Sequence, residues 1–155
     1  MASESVSESK AAAMSWTISP GNGGVAVDLP RDGTAVYPAV EIVGTEGVPL
    51  GVHRVSVTLP SNMGLRFGSG TNPDYTLTVW NKETGRAEST RPGTLSPDMS
   101  VLTFDAVDLG PGGKSDCWVT VHASYAAPAT ETALTFTVGS SEASKSSSST
   151  PLRIL

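Results

Sequence analysis

Two tryptophans occupy positions from which an aromatic ring could bind a ligand. In segment 75–80 (YTLTVW), Trp80 shares one strand face with two threonines, opposite the apolar residues. In segment 117–123 (CWVTVHA), Trp118 shares the polar face with a threonine and His122. Aromatic rings on the outer face of a sheet can stack on sugar rings or anchor a protein partner. Trp80, Trp118 and His122 are therefore the candidate residues for ligand or partner binding.

Two other interpretations of these tryptophans stay open. A neighbouring loop, such as segment 68–73 or 83–97, could fold over each ring and bury it. A β-bulge could also reverse the register of the strand and turn the ring inward. Trp16 differs from both, because it shares its face with Ile18 and is predicted to lie in the core.

The sequence offers little for catalysis. His53 and His122 are the candidate bases, but no Gly-x-Ser-x-Gly turn precedes a helix, and His53 is predicted to cap the core at a strand end. Glu41 is the best-placed acid on a strand, and it is more simply a solvent-facing residue than half of a carboxylate pair. Most other acids, Asp116 among them, are predicted in turns. We therefore expect a non-catalytic protein and assign no catalytic residue.

No metal or cofactor is predicted either. One cysteine and two histidines are too few for a His/Cys zinc site, and Cys117 lies in register with valines as a buried residue. No Asp-x-Asp-x-Asp-Gly loop is present, so a Ca²⁺ site would have to be assembled from separate loops and is not predicted. No phosphate-binding Gly-rich loop precedes a helix, which argues against nucleotide binding.

Charge and length narrow the class of partner. The chain has 155 residues and a net charge of −5, whereas nucleic acids and anionic membranes are bound by basic surfaces. No apolar run approaches the roughly 18 residues of a membrane span, so membrane insertion is not expected. The expected partner is a protein or a carbohydrate, and the sequence leaves the oligomeric state open.

The elements that position these residues are predicted to be β-strands. Sixteen Gly and eleven Pro interrupt the chain, and between them lie short runs that alternate apolar and polar residues. Nine or ten strands are predicted, at 15–19, 24–29, 36–43, 53–59, 65–67, 75–80, 101–104 with a bulge before Val107, 117–123, 133–138 and 152–155. Pro38 marks its strand as an edge strand or a bulged one. This spacing favours an all-β, two-sheet antiparallel sandwich with Greek-key links.

The two ends of the chain differ from this middle part. Residues 1–13 are small and polar and are predicted to be a disordered tail, and 14–155 a single β-sandwich domain with a flexible Ser-rich loop at 140–149. A tail of this composition favours a secreted or cell-surface protein whose signal peptide was removed. A cytoplasmic or phage-borne protein is the alternative.

Several short motifs follow one another between residues 53 and 139. They are VTLP (57–60), GLRF (64–67), LTF (102–104), a Gly-rich loop (110–113), VTV (119–121) and LTFTVG (134–139). In this order they resemble the bacterial immunoglobulin-like repeats of Gram-positive surface proteins. The resemblance implies an immunoglobulin-like sandwich that serves as a spacer, adhesive module or scaffold.

The leading hypothesis is a non-catalytic immunoglobulin-like module acting as a bacterial surface, scaffold or protein-interaction domain. The first alternative is a carbohydrate-binding module that uses Trp80 and Trp118 as a stacking platform. It gains strong support if both rings are exposed and coplanar on one sheet, and it fails if they are buried. The second alternative is an enzyme or enzyme inhibitor whose site lies on loops.

Overall fold

The computed structural model describes residues 16–35, 38–68, 75–139 and 145–155, and these residues form an all-β sandwich. The predicted tail at 1–13 lies outside the described residues. One 3₁₀ turn, Asn22–Gly24, accompanies the strands. The strands are β1 (Thr17–Pro20), β2 (Val27–Leu29), β3 (Thr34–Ala35), β4 (Ala39–Val43), β5 (Val52–Thr58), β6 (Leu65–Phe67), β7 (Thr76–Asn81), β8 (Arg86–Pro92), β9 (Thr94–Leu95), β10 (Val101–Asp108), β11 (Lys114–Trp118), β12 (Val121–Ala123), β13 (Glu131–Gly139) and β14 (Ser146–Ile154).

The strands form two large sheets and one small one. Sheet A has the order β1-β4-β11-β7-β8, sheet B the order β2-β14-β13-β5-β10-β9, and sheet C the order β3-β12-β6. Every pair is antiparallel except β2 with β14, which is parallel. The predicted all-β antiparallel sandwich is confirmed, with this one parallel pair in addition.

The core consists of the inward-facing residues of the strands. In β5, Val55 and Val57 are fully buried while Arg54 and Thr58 are exposed, as the alternation predicts. Fully burying such a side chain contributes roughly 1.5–3 kcal/mol. Trp16 is 5% exposed and lies in this core, which confirms its predicted place.

Two local predictions about the core are also confirmed. The ladder between β10 and β5 shifts register between Phe104 and Val107, where Ala106 has a φ of 54°, so β10 carries the predicted bulge. His53 lies half-buried at the start of β5. Its Nε2 is 2.9 Å from the Leu50 carbonyl oxygen, and its ring meets Trp16 edge-on at 5.5 Å.

Strand β4 is an interior strand of sheet A, so the prediction of an edge or bulged strand from Pro38 is wrong. Pro38 stands immediately before the first residue of the strand, Ala39, and its missing N–H is therefore not needed by the ladder. The first part of that predicted strand, at 36–37, lies outside the described residues.

The described residues contain fourteen strands instead of nine or ten. Strands of two or three residues, such as β3 and β9, are too short to show alternation, and β8 carries charged residues in place of apolar ones. The segment 117–123 divides into β11 in sheet A and β12 in sheet C. Strand β2 begins only at Val27, after the 3₁₀ turn, which leaves Val25 63% exposed.

The Ser-rich segment also differs from its prediction as a loop. Strand β14 begins at Ser146 and pairs with β13, so 146–149 are strand, and 140–144 lie outside the described residues. Hydroxyl pairs hold this part of the ladder, with 3.2 Å between Thr135 and Ser149 and 2.9 Å between Thr137 and Ser147. Serine is uncommon in strands, which is why composition alone indicated a loop.

The register of β11 predicts an unreactive thiol. Cys117 is fully buried between sheets, and this burial raises the pKa of its thiol to about 12. We expect Ellman's reagent at pH 8 to label the native protein only as fast as it unfolds, and to label the guanidinium-unfolded protein at once. Rapid labelling of the native protein would mean that Cys117 faces outward and that Trp118 faces the core.

Candidate functional site

Both candidate tryptophans lie on the outer face of sheet A. Trp80 is on β7 and Trp118 is on the neighbouring strand β11, and both are half-buried. Their strand neighbours Val79 and Cys117 are fully buried on the inner face. The register shift between β7 and β8 follows Val79, but the extra residue belongs to β8, so the alternation in β7 is preserved.

The two rings touch because of the strand register. Asp116 lies opposite Trp80 in the ladder, and Trp118 is two residues further along β11, so the tryptophans are diagonal neighbours. Their ring centroids are 6.0 Å apart and their planes are tilted by 36°. The rings are neither buried nor coplanar. They form one aromatic cluster, which differs from an extended platform for successive sugar units.

A charged cluster lies beside the rings on the same face. Glu41 on β4 and Asp116 on β11 are ladder partners, and Lys82 follows the end of β7. Lys82 Nζ is 2.5 Å from Glu41 Oε2 and 3.2 Å from Asp116 Oδ1. The hydrogen bond to Glu41, reinforced by both negative charges, raises the pKa of Lys82. Burial raises the pKa of Asp116 in spite of the nearby ammonium group.

An open groove of about 600 Å³ joins the aromatic and charged parts. One wall is the connection from β1 to β2 together with the start of β2, and the floor is the outer face of sheet A. The groove is lined by Asn22, Ala26, Val27, Asp28, Ala39, Lys82, Asp116 and Trp118. We call this feature the sheet A groove. Its size is within the range of pockets that take small molecules or single side chains.

His122, the third candidate residue, lies elsewhere. It is on β12 in sheet C, and it is 6% exposed, although alternation predicted an outward position. Its Nδ1 is 3.0 Å from Thr34 Oγ1 and its Nε2 is 3.5 Å from Asp32 Oδ1. These neighbours from the β3 region cover the ring. The structure therefore brings Trp80 and Trp118 together and does not bring His122 to the sheet A groove.

Two charged residues that line the sheet A groove, Lys82 and Asp116, were not among the candidates from the sequence. Asp116 is in strand β11, not in a turn as predicted, whereas Glu41 is half-buried on the outer face of β4, the face that alternation predicts. The alternation that places Trp118 outward also places Asp116 outward, so this signal was present. The position of Lys82 beside both acids depends on the register of three strands, which alternation does not give.

Within the described residues, no group of three or more His, Cys, Asp or Glu side chains could hold a metal ion. Nor does this part of the chain contain a helix long and apolar enough to cross a membrane.

Comparisons with known proteins find likeness at the level of structure only. No protein-family profile matches the chain, and no curated protein matches it significantly. Among solved structures, the collagen-binding subdomain of the Enterococcus faecalis surface protein ACE matches with a TM-score of 0.42 and 8% identity, over 90% of this chain and 95% of that chain. The C-terminal domain of the Streptococcus agalactiae AgI/II polypeptide BspA matches with a TM-score of 0.42 and 10% identity, over 89% and 48%.

A family 123 glycoside hydrolase from Clostridium perfringens matches with a TM-score of 0.45 and 8% identity, over 91% of this chain and 27% of that chain. The chain thus spans about a quarter of the length of that enzyme. At these identities and TM-scores, the likeness carries no argument about ligands or activity. The class of the protein is defined by its own fold and site, as an all-β sandwich with an aromatic and charged groove on one outer face.

The different environments of the three tryptophans predict a fluorescence result. Trp16 is buried in the core, whereas Trp80 and Trp118 are half-buried on the outer face. The variant W80F/W118F, which keeps only Trp16, should show blue-shifted emission and weak acrylamide quenching. The variant W16F should show stronger quenching than the wild type. Equal Stern–Volmer slopes for the two variants would contradict the described placement of the rings.

Proposed function

We propose that the protein is a non-catalytic binding module, a surface, scaffold or protein-interaction domain that contacts its partner through the outer face of sheet A. The observation that carries this proposal is the contact between Trp80 and Trp118 at the edge of an open groove. Aromatic residues held by a rigid scaffold supply much of the binding energy at interfaces. Here both rings are on interior strands of a sheet, so little conformational entropy is lost when a partner binds.

The charged part of the groove supports a protein partner over a neutral sugar. Lys82, Glu41 and Asp116 present one positive and two negative groups beside the rings. Such a mixture can pair with the side chains of a protein, which fixes the orientation of the partner. A carbohydrate uses aromatic rings and hydrogen-bonding groups but has no need of an ion-paired lysine.

Carbohydrate binding is the second candidate, and the ring of Trp118 at the groove favours it. A single half-exposed ring next to polar side chains can take one sugar unit. The tilt of 36° between the rings does not support the two-ring platform expected from the sequence. The sugar candidate is therefore reduced to one unit on Trp118, with Asp28 and Asn22 as the nearby polar groups.

Binding of a panel of immobilised proteins and glycans tests this proposal. The panel includes extracellular-matrix proteins, with collagen among them. We expect the wild type to bind a protein of the panel and W118A to bind it about tenfold more weakly, which corresponds to about 1.4 kcal/mol. Tyr125, which is 83% exposed, provides the matched control Y125A, which should bind like the wild type.

The result separates the two candidates. Binding to glycans alone, with loss in W118A, would replace the protein partner by a sugar. Equal binding of W118A and the wild type to the same partner would contradict the role of sheet A. No binding to any probe would contradict the proposal as a whole. Thermal unfolding of each variant by circular dichroism, within a few degrees of the wild type, is the control for folding.

A further inference from the structure

The charges at the sheet A groove are unbalanced, where Lys82 and Asp116 line the groove and Glu41 lies beside them. Glu41 and Asp116 face each other across the ladder between β4 and β11, and one ammonium group, that of Lys82, serves both. Like charges directly opposite each other in a sheet are destabilising, and a single cation cannot neutralise two carboxylates. At neutral pH this cluster therefore has one negative charge in excess.

Asp116 is the member with unused bonding capacity. Lys82 Nζ is closer to Glu41, at 2.5 Å, than to Asp116 Oδ1, at 3.2 Å. Asp116 Oδ1 is shielded from water, whereas the Asp116 side chain as a whole is 21% exposed. A carboxylate accepts up to about four hydrogen bonds, so the exposed part of this group can accept from a further cation although Lys82 already pairs with it.

Trp118 supplies an aromatic surface next to this carboxylate. It is two residues from Asp116 on the same strand and on the same face, a separation of about 7 Å along the strand. Cations are attracted to the face of an indole ring at about 6 Å or less from its centroid. A planar cation that lies against the ring can thus reach the carboxylate with its N–H groups.

We propose that the sheet A groove binds the guanidinium group of an arginine side chain that a protein partner presents. The guanidinium stacks against Trp118 and donates hydrogen bonds to Asp116, while Lys82 stays with Glu41. This inference rests on the proposed function and names the chemistry that the same site recognises.

Arginine fits the groove better than lysine does. The guanidinium is planar, stacks on aromatic faces and is less strongly hydrated than an ammonium group. Lys82 already places an ammonium group between the acids, and a second compact cation at that point would be repelled by it. A flat cation on Trp118 approaches Asp116 from the aromatic side.

Fluorescence anisotropy with a labelled peptide tests the proposal on the 155-residue chain. The probe is a fluorescein-labelled (Gly-Ser-Arg)₃ peptide, and the comparison peptides carry lysine or citrulline in place of arginine. Citrulline keeps the shape of arginine but has no charge. At about 0.1 M salt the Debye length is about 10 Å, so general attraction to the acidic chain is largely screened. We expect the arginine peptide to bind most tightly and the citrulline peptide not to bind.

Two substitutions should change this affinity in opposite directions. D116N removes the accepting carboxylate charge and should weaken binding of the arginine peptide about tenfold. K82M removes the ammonium group that competes with the arginine for Asp116, and it keeps the length of the side chain. It should therefore tighten binding of the arginine peptide about threefold or more. A gain of affinity cannot come from partial unfolding, which makes K82M informative even where D116N loses stability.

Each substitution has a control with the same change of charge. D105N removes an acid from β10 in sheet B, and K114M removes a lysine from β11 that does not line the groove. Both controls should change the affinity less than about twofold at this salt concentration. Equal binding of the arginine and citrulline peptides, or equal effects of D116N and D105N, would overturn the proposal. Unchanged or weaker binding by K82M would overturn it as well.

Failure of this inference can be told from failure of the proposed function. If no arginine peptide binds but W118A still loses the protein partner found with the panel, sheet A is the binding face and the guanidinium assignment is wrong. If neither the peptide nor the partner depends on Trp118, both are wrong.

Discussion

The alternation of side chains along β11, the middle strand of sheet A, is the constraint on which the rest depends. Ser115 and Cys117 face the core and are fully buried, so Asp116 and Trp118 must face outward. A shift of one residue would put a carboxylate and an indole into the core and expose the thiol. Burial of the core residues therefore fixes the composition of the outer face, including the groove.

The interior position of this strand also makes the site rigid. Strand β11 is paired with β4 on one side and β7 on the other, and the three strands bring Glu41, Asp116 and Trp80 into one row. Each side chain is held by a backbone ladder and not by a loop. The tight packing of Gly112 against the carbonyl oxygens of Thr45 and Val48 further restricts the connection that precedes β11.

Much of the fold could be predicted from the sequence, but the site could be predicted only in part. Alternation identified β5, β7 and β13 because a buried face requires apolar residues at every second position. Alternation also placed Trp80 and Trp118 on the polar, outward faces of their strands. It could not show that they touch, since this depends on pairing between strands about 40 residues apart in sequence. His122 is covered by Thr34 of β3 and by Asp32 just before it. Strand β3 is too short to show alternation, so the sequence did not predict that His122 is buried.

The central claim, that the outer face of sheet A is the binding face, is tested most directly by NMR. In a ¹⁵N-labelled sample, each tryptophan gives one indole N–H signal, so the protein has three such probes. On titration with the protein partner identified from the panel, the account predicts that the indole signals of Trp80 and Trp118 and the amides of β7 and β11 shift, while Trp16 does not. Shifts confined to sheet B, around Thr135 and Thr137, would contradict it.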